Sequence, residues 1–222
     1  HGVDVAELLL DHKEIQRLIY RTAPEQPGRH HAYHALTAGF VIADLVERVS
    51  KRSFRGFFRD NISRPLGLTT LDFGARGDAL ARLARNYVAG FKFSAPADMY
   101  LKRAIGTSLD DAVKLSNDPR YYRAVIPAGN GVGTADECSQ FFQCLLNGGR
   151  LGGVRVFKPL TVRRAIAEVG KPELDRSLMV PLRYSAGMML GASPFGMYGP
   201  DTSKAYGHLG FANNFVWADP ER

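Results

Sequence analysis

Cysteine is nearly absent: Cys138 and Cys144 are the two in 222 residues. Two cannot build a disulfide framework. They fall within one expected helix, at positions that point in different directions, and both read as buried free thiols. No apolar run reaches the roughly 18 residues of a membrane span, so none is expected. No segment combines a basic start, an apolar middle and a small-residue cleavage site, as a secretory leader does; the compartment reading is cytoplasmic over secreted. Internal repeats are missing. Long basic runs are missing too, although 29 Lys and Arg outweigh 22 Asp and Glu for a net charge of +7. With no interleaved aromatic repeat, those charges read as a solvated surface, and nucleic acid is not expected as a partner.

What is present is globular. Hydrophobic residues make up 45% and charged residues 23%, which is folded rather than disordered composition. The length suffices for one good core with a subdomain. Helical spacing runs through Val3 to Thr22, and again from Leu36 to Val49, where Leu36, Phe40, Ile42, Ala43, Val46 and Val49 read as an apolar stripe. Ser53 reads as an N-cap for a short helix carrying Phe54, Phe57, Phe58 and Ile62, ended by Pro65 and Gly67. Residues 69 to 122 show weak periodicity. Thr134 and Glu137 read as a capping box before the core positions Phe141, Phe142, Leu145 and Leu146, with Gly148 at the end. Pro159 to Val169 reads as one more helix. The character then changes. Leu178 to Gly191 and Gly210 to Pro220 read as strands. Helices first and strands last predict an α+β or α/β chain with an antiparallel sheet.

Chemistry-bearing residues concentrate in "GRHHAYHALTAGF". His30, His31 and His34 invite a metal reading, but zinc sites need three or four ligands. No HExxH motif and no carboxylate accompany them. The expectation is no metal and no cofactor, with His30 and His31 in a polar solvated loop. Tyr33, directly ahead of an apolar helix, reads by itself as a packing residue with a hydrogen-bonded hydroxyl. "YGHLGF", Tyr206 to Phe211, reads by itself as a turn with a histidine ahead of a strand.

Taken in order, these elements resemble a known family. A Pro-Gly loop, then Tyr33-His34-Ala35 and a helix, then "NGVGT" opening a helix with "NGG" after it, then His208-Leu209-Gly210 with "ADPE" beyond, resemble the serine β-lactamase-like family. That family holds class C β-lactamases, D-alanyl-D-alanine peptidases and the family VIII esterases, and the esterase branch is the best likeness. The resemblance runs from about Pro27 to Arg222. It implies a β-lactamase/transpeptidase-like fold: an antiparallel sheet flanked by helices, plus a mostly helical region. Residues 1–222 would be part of one such domain, incomplete here, with the helical region over 23–170 and C-terminal sheet strands over 171–222.

The resemblance also implies roles. Three elements meet at one pocket in this family. A Ser-x-x-Lys supplies the acylated serine and a lysine that helps deprotonate it. Tyr33 would match the tyrosine that exchanges protons with the serine and the leaving group. His208 would line the pocket from the strand at its edge. The N–H of Phe211 would donate to the oxyanion, and Gly210 would let the acyl group approach. Ala35 stands where lactamases place an asparagine, and Leu209 replaces a hydroxyl residue. Both remove polar grip, and His208 carries less certain charge than lysine at neutral pH. An ester is therefore expected over a carboxylated lactam.

The Ser-x-x-Lys itself is not in these residues. None of the lysines at 13, 51, 92, 102, 114, 158, 171 and 204 has a serine three positions earlier. The expectation is that the nucleophile precedes His1, because "HGVDVAELLLDH" resembles a family segment that follows the nucleophile helix, and that a segment is omitted near His12 to Pro27. The leading reading is a serine ester hydrolase of small-molecule ester or amide substrates. A β-lactamase or D-Ala-D-Ala peptidase is the alternative within enzymes. A non-catalytic binding protein on the same fold is the alternative outside them. Oligomeric state does not follow from the sequence.

Overall fold

The computed structural model describes residues 5–23, 28, 30–90, 99, 106–210 and 214–222. The helical repeat of the first segment breaks once. Helix α1 (Val5–Leu10) ends at Asp11, whose carboxylate accepts the Glu14 N–H (3.0 Å) and so caps α2 (His12–Arg21). Helix α3 (Thr37–Ser50) follows. Its buried face is Phe40, Ala43 and Asp44. Ile42 and Val49, read from sequence as part of the apolar stripe, are 55% and 85% exposed. The helical repeat explains this, since at 3.6 residues per turn 42 and 49 lie opposite 40, 43 and 44. Asp44 takes the inner position instead, accepting hydrogen bonds from Tyr20 Oη (2.5 Å) on α2 and Arg48 Nε (2.5 Å).

Ser53 caps α4 (Phe54–Phe58) by accepting the Gly56 N–H at 3.2 Å, and a wide turn over Arg59–Ser63 continues it. The irregular region contains strand β1 (Asp72–Phe73), helices α5 (Leu109–Ser116) and α6 (Pro119–Arg123), and then β2 (Gly131–Val132), which pairs antiparallel with β1. Helix α7 (Ala135–Leu146) starts at Thr134, whose hydroxyl accepts the Glu137 N–H (3.2 Å). The second half of the expected capping box is not made. The Glu137 carboxylate turns away to the 69–71 segment and accepts from the backbone N–H groups of Thr69, Thr70 and Leu71 and from both threonine hydroxyls. Burial alone would raise the Glu137 pKa. The hydrogen bonds from Thr70 and Thr69 outweigh it and hold the group at about 2.

After α7 come β3 (Arg150–Leu151) and β4 (Val154–Arg155), a small hairpin, and α8 (Pro159–Ile166). The main sheet then forms from β5 (Glu173–Leu174), β6 (Pro181–Tyr184), β7 (Met189–Leu190), β10 (Tyr206–Leu209) and β11 (Phe215–Ala218). The small pair β8 (Phe195–Gly196) and β9 (Gly199–Pro200) lies between β7 and β10 in sequence. The strand order is β11-β10-β7-β6-β5, antiparallel throughout. Two sequence expectations change here. Leu178 to Gly191 is a hairpin rather than one strand: "SAGM" turns the chain, and the Ser185 N–H donates to Met188 O at 2.9 Å. And "YGHL", read as a turn, is itself the strand β10.

Helix α7 joins the two parts. Leu145 packs with Val162 of α8 against Leu190, Tyr206 and Ala218 on one face of the sheet, with Phe142 stacked on Tyr206. Cys144, fully buried, packs with Leu66 and Leu68; Cys138 is only half-buried, against the expectation of two buried thiols. Phe40, 1% exposed, centres a separate cluster with Ile15 and Ile126. A fully buried aromatic of this kind contributes about 1.5–3 kcal/mol. Among the described residues no helix is long and apolar enough to cross a membrane.

Candidate active site

The stretch 31–34 runs without regular structure into α3 and is tied to the β5–β6 hairpin. The His31 N–H donates to Glu173 Oε1, and the Arg176 N–H donates to His31 O at 3.0 Å. The His31 ring meets Tyr184 edge-on, with centroids 5.5 Å apart. His31 Nδ1 lies 3.9 Å from Glu173 Oε1, too far for a hydrogen bond, and this buried nitrogen has no hydrogen-bond partner among the described residues. His31 is thus an anchor and not the solvated loop residue expected; His30 is exposed. His34 is exposed as well, its Nδ1 2.7 Å from Ala32 O. Among the described residues no three His, Cys, Asp or Glu side chains converge as metal ligands would.

Two residues beyond that anchor, Tyr33 is half-buried beside His208 of β10, with ring centroids 5.6 Å apart and planes at 39°. The sheet places His208. It stands opposite Val216 on β11, and β10 is an interior strand. His208 Nδ1 lies 2.5 Å from Leu209 O. A carbonyl only accepts, so Nδ1 carries the hydrogen, and a neutral ring would present Nε2 as an acceptor. Ala35 and Leu209 are both half-buried, Ala35 at the turn into α3 and Leu209 opposite Phe215. Phe211 lies outside the described residues. Gly210 is exposed and donates its N–H to Asn214 O (2.6 Å); a Cβ there would come within 3.2 Å of that oxygen. The tighter glycine is Gly207, which sequence reading passed over. A Cβ there would lie 2.5 Å from Trp217 Cα and closer still to Val216 O. Any side chain at 207 would push β11 off the strand that carries His208.

Asp175 was also missed. It is fully buried in the β5–β6 turn, where it accepts from the N–H groups of Ser177 (2.8 Å) and Leu178 (2.7 Å) and from Tyr184 Oη (3.0 Å). Its only local signal was "DRS", an ordinary turn sequence. The Tyr33 phenol is pushed above its ordinary pKa, first by burial and then by the negative charge of Asp175. In this environment Tyr33 holds its proton at neutral pH.

The five-stranded antiparallel sheet flanked by helices gives an α/β fold that matches β-lactamase/transpeptidase-like structures. The family model for beta-lactamase matches residues 2–222. The chain belongs to the beta-lactamase family. Esterase/beta-lactamase LipL of Mycobacterium tuberculosis is 29% identical over 239 residues, a match that covers 96% of this chain and 51% of LipL. A penicillin-binding protein homologue from Caulobacter crescentus superposes with a TM-score of 0.79 at 26% identity, covering all of this chain and 58% of its own. The crystal structure of a family VIII carboxylesterase superposes with a TM-score of 0.83 at 24% identity, covering all of this chain and 58% of its own. The chain therefore spans somewhat over half the length of these relatives.

Proposed function

We propose that the protein is a serine hydrolase cleaving carboxylic esters through an acyl-enzyme. The observation that carries this reading is the meeting of Tyr33 and His208, distant in sequence, with ring centroids 5.6 Å apart. The names of its relatives, an esterase/beta-lactamase and a family VIII carboxylesterase, support it. No serine three positions before a lysine occurs in these residues, so the reading assigns the nucleophile and its lysine to sequence outside them.

In acylation the serine oxygen would bond to the ester carbonyl carbon. Its proton would pass by way of Tyr33 to the departing alcohol, and water would then release the acid from the acyl-enzyme. Burial and Asp175 favour the protonated phenol. Tyr33 on its own is therefore the donor of the pair, and acting as base requires a cation beside it, the role this reading gives the lysine. His208 would line the pocket with Nε2 free to accept. Phe211 would give an oxyanion N–H, with Gly210 ahead of it. Ala35 and Leu209 offer no polar side-chain grip, which supports an uncharged ester over a carboxylated lactam.

The decisive experiment uses the full-length protein and p-nitrophenyl butyrate. Tyr33→Phe should lower kcat by ~10²-fold, as loss of an acid–base group does. Unchanged turnover would remove Tyr33 from the mechanism. A fluorophosphonate probe should label a serine; no label would favour a binding protein on this fold. The Caulobacter homologue is named for penicillin binding, so nitrocefin and a D-Ala-D-Ala peptide are the second substrates to try. Faster turnover of either than of the ester would overturn the ester assignment.

A further inference from the structure

One concave site is lined by neither Tyr33 nor His208. It is a cavity of ≈ 210 Å³ between α4, β1 and the short turn of helix at Gly77–Arg82. Four arginines line it, Arg55, Arg59, Arg76 and Arg82, against one acidic residue, Asp72. The space exceeds what a single water needs and suits a small organic ion.

Arg55 forms its inner wall. The side chain is 10% exposed. Its Nε donates to Asp72 Oδ2 (2.8 Å) and its Nη2 to Gly74 O (2.9 Å). Its Nη1 is buried with no hydrogen-bond partner among the described residues. A buried donor left unmatched on a charged group is costly, and here it belongs to a residue that lines a cavity. The other three arginines bring more positive charge than the carboxylates paired with them. Arg59 shares Asp60 with Arg52 and Arg64, so one carboxylate faces three guanidiniums. Arg76 and Arg82 are exposed and form no ion pair among the described residues. The Thr70 hydroxyl, also at the rim, is spent on Glu137, so the arginines are the side-chain donors left for a ligand.

We propose that this cavity binds a small molecule through a phosphoryl group. Guanidinium forks match the oxygens of phosphate in pairs. A concave wall of excess positive charge concentrates anions, and several guanidiniums suit a dianion better than a single carboxylate charge. The site is independent of the hydrolytic reading and stands or falls separately.

The test is calorimetric titration of the protein with phenyl phosphate, inorganic phosphate and phenylacetate at matched ionic strength. Phenyl phosphate should bind saturably at one site, at least ~10-fold tighter than phenylacetate, and inorganic phosphate should compete with it. Arg76→Gln with Arg82→Gln should weaken phenyl phosphate by ~10-fold or more, while the melting temperature without ligand stays unchanged. Arg163→Gln with Arg164→Gln removes the same charge from exposed positions on α8 and should leave affinity alone. The proposal is overturned by heats no larger than those of sodium chloride, by phenylacetate binding as tightly, or by equal losses in the two double variants, which would reduce the effect to net charge.

Discussion

Glu137 and Asp175 are both buried carboxylates that gather chain around themselves, yet they do different things. Glu137 reaches far in sequence and spends its oxygens on the N–H groups and hydroxyls of residues 69–71. It locks α7 to the helical region and touches nothing in the candidate site. Asp175 acts locally, on Ser177, Leu178 and Tyr184. Its charge still reaches Tyr33. Satisfied hydrogen bonds alone do not tell a fold clamp from a site-tuning group. What separates them is which other titratable group feels the charge.

Four perturbations test that contrast. The largest effect is expected from Glu137→Ala, which strands five donors of residues 69–71 at once and should cost about 3–5 kcal/mol in urea unfolding. A loss under about 1 kcal/mol would mean water replaces the clamp at little cost. Asp175→Asn should cost about 1–2 kcal/mol. It should also lower the Tyr33 pKa, read as the ultraviolet titration difference between matched proteins with and without Tyr33→Phe. The value should stay above ordinary, because burial is the larger cause. No movement of the phenol would erase the distinction between the two carboxylates. His31→Ala should cost about 1 kcal/mol of stability, and, if the proposed hydrolysis holds, it should lower kcat for p-nitrophenyl butyrate more than it raises KM, because it loosens the segment bearing Tyr33. The smallest effect is in acid. The Glu137 pKa falls from 4.5 to about 2 on folding, so its contribution is present above pH 4.5 and fades as pH drops toward 2. Glu137→Gln should flatten that part of the stability–pH curve; an unchanged slope would place the acid sensitivity elsewhere.

The order of helices and then antiparallel strands was legible in the sequence, because caps and apolar repeats are local signals. Thr134 and Ser53 cap where their patterns place them. The failures share a physical cause. Glu137 had an acceptable partner three residues away and took distant ones, and no pattern in the sequence announces residues 69–71 as its target. Ile42 and Val49 are apolar but lie on the wrong side of α3. At the candidate site, Tyr33 and His208 were each unremarkable by local chemistry, and only their order along the chain paired them. His31 looked polar and solvated because its partners, Glu173, Arg176 and Tyr184, arrive from the far end of the chain.

The strand order has a consequence in time. Tyr33 is fastened through His31 to β5, the edge of the sheet, whereas His208 belongs to β10, held on both sides by β7 and β11. Edge segments open by local fluctuation far more often than interior strands do. Amide hydrogens of His31 and Arg176 should therefore exchange with solvent well before those of β10. On this reading the tyrosine and the histidine keep different clocks, the first set by opening of the segment tied to β5 and the second by opening of an interior strand.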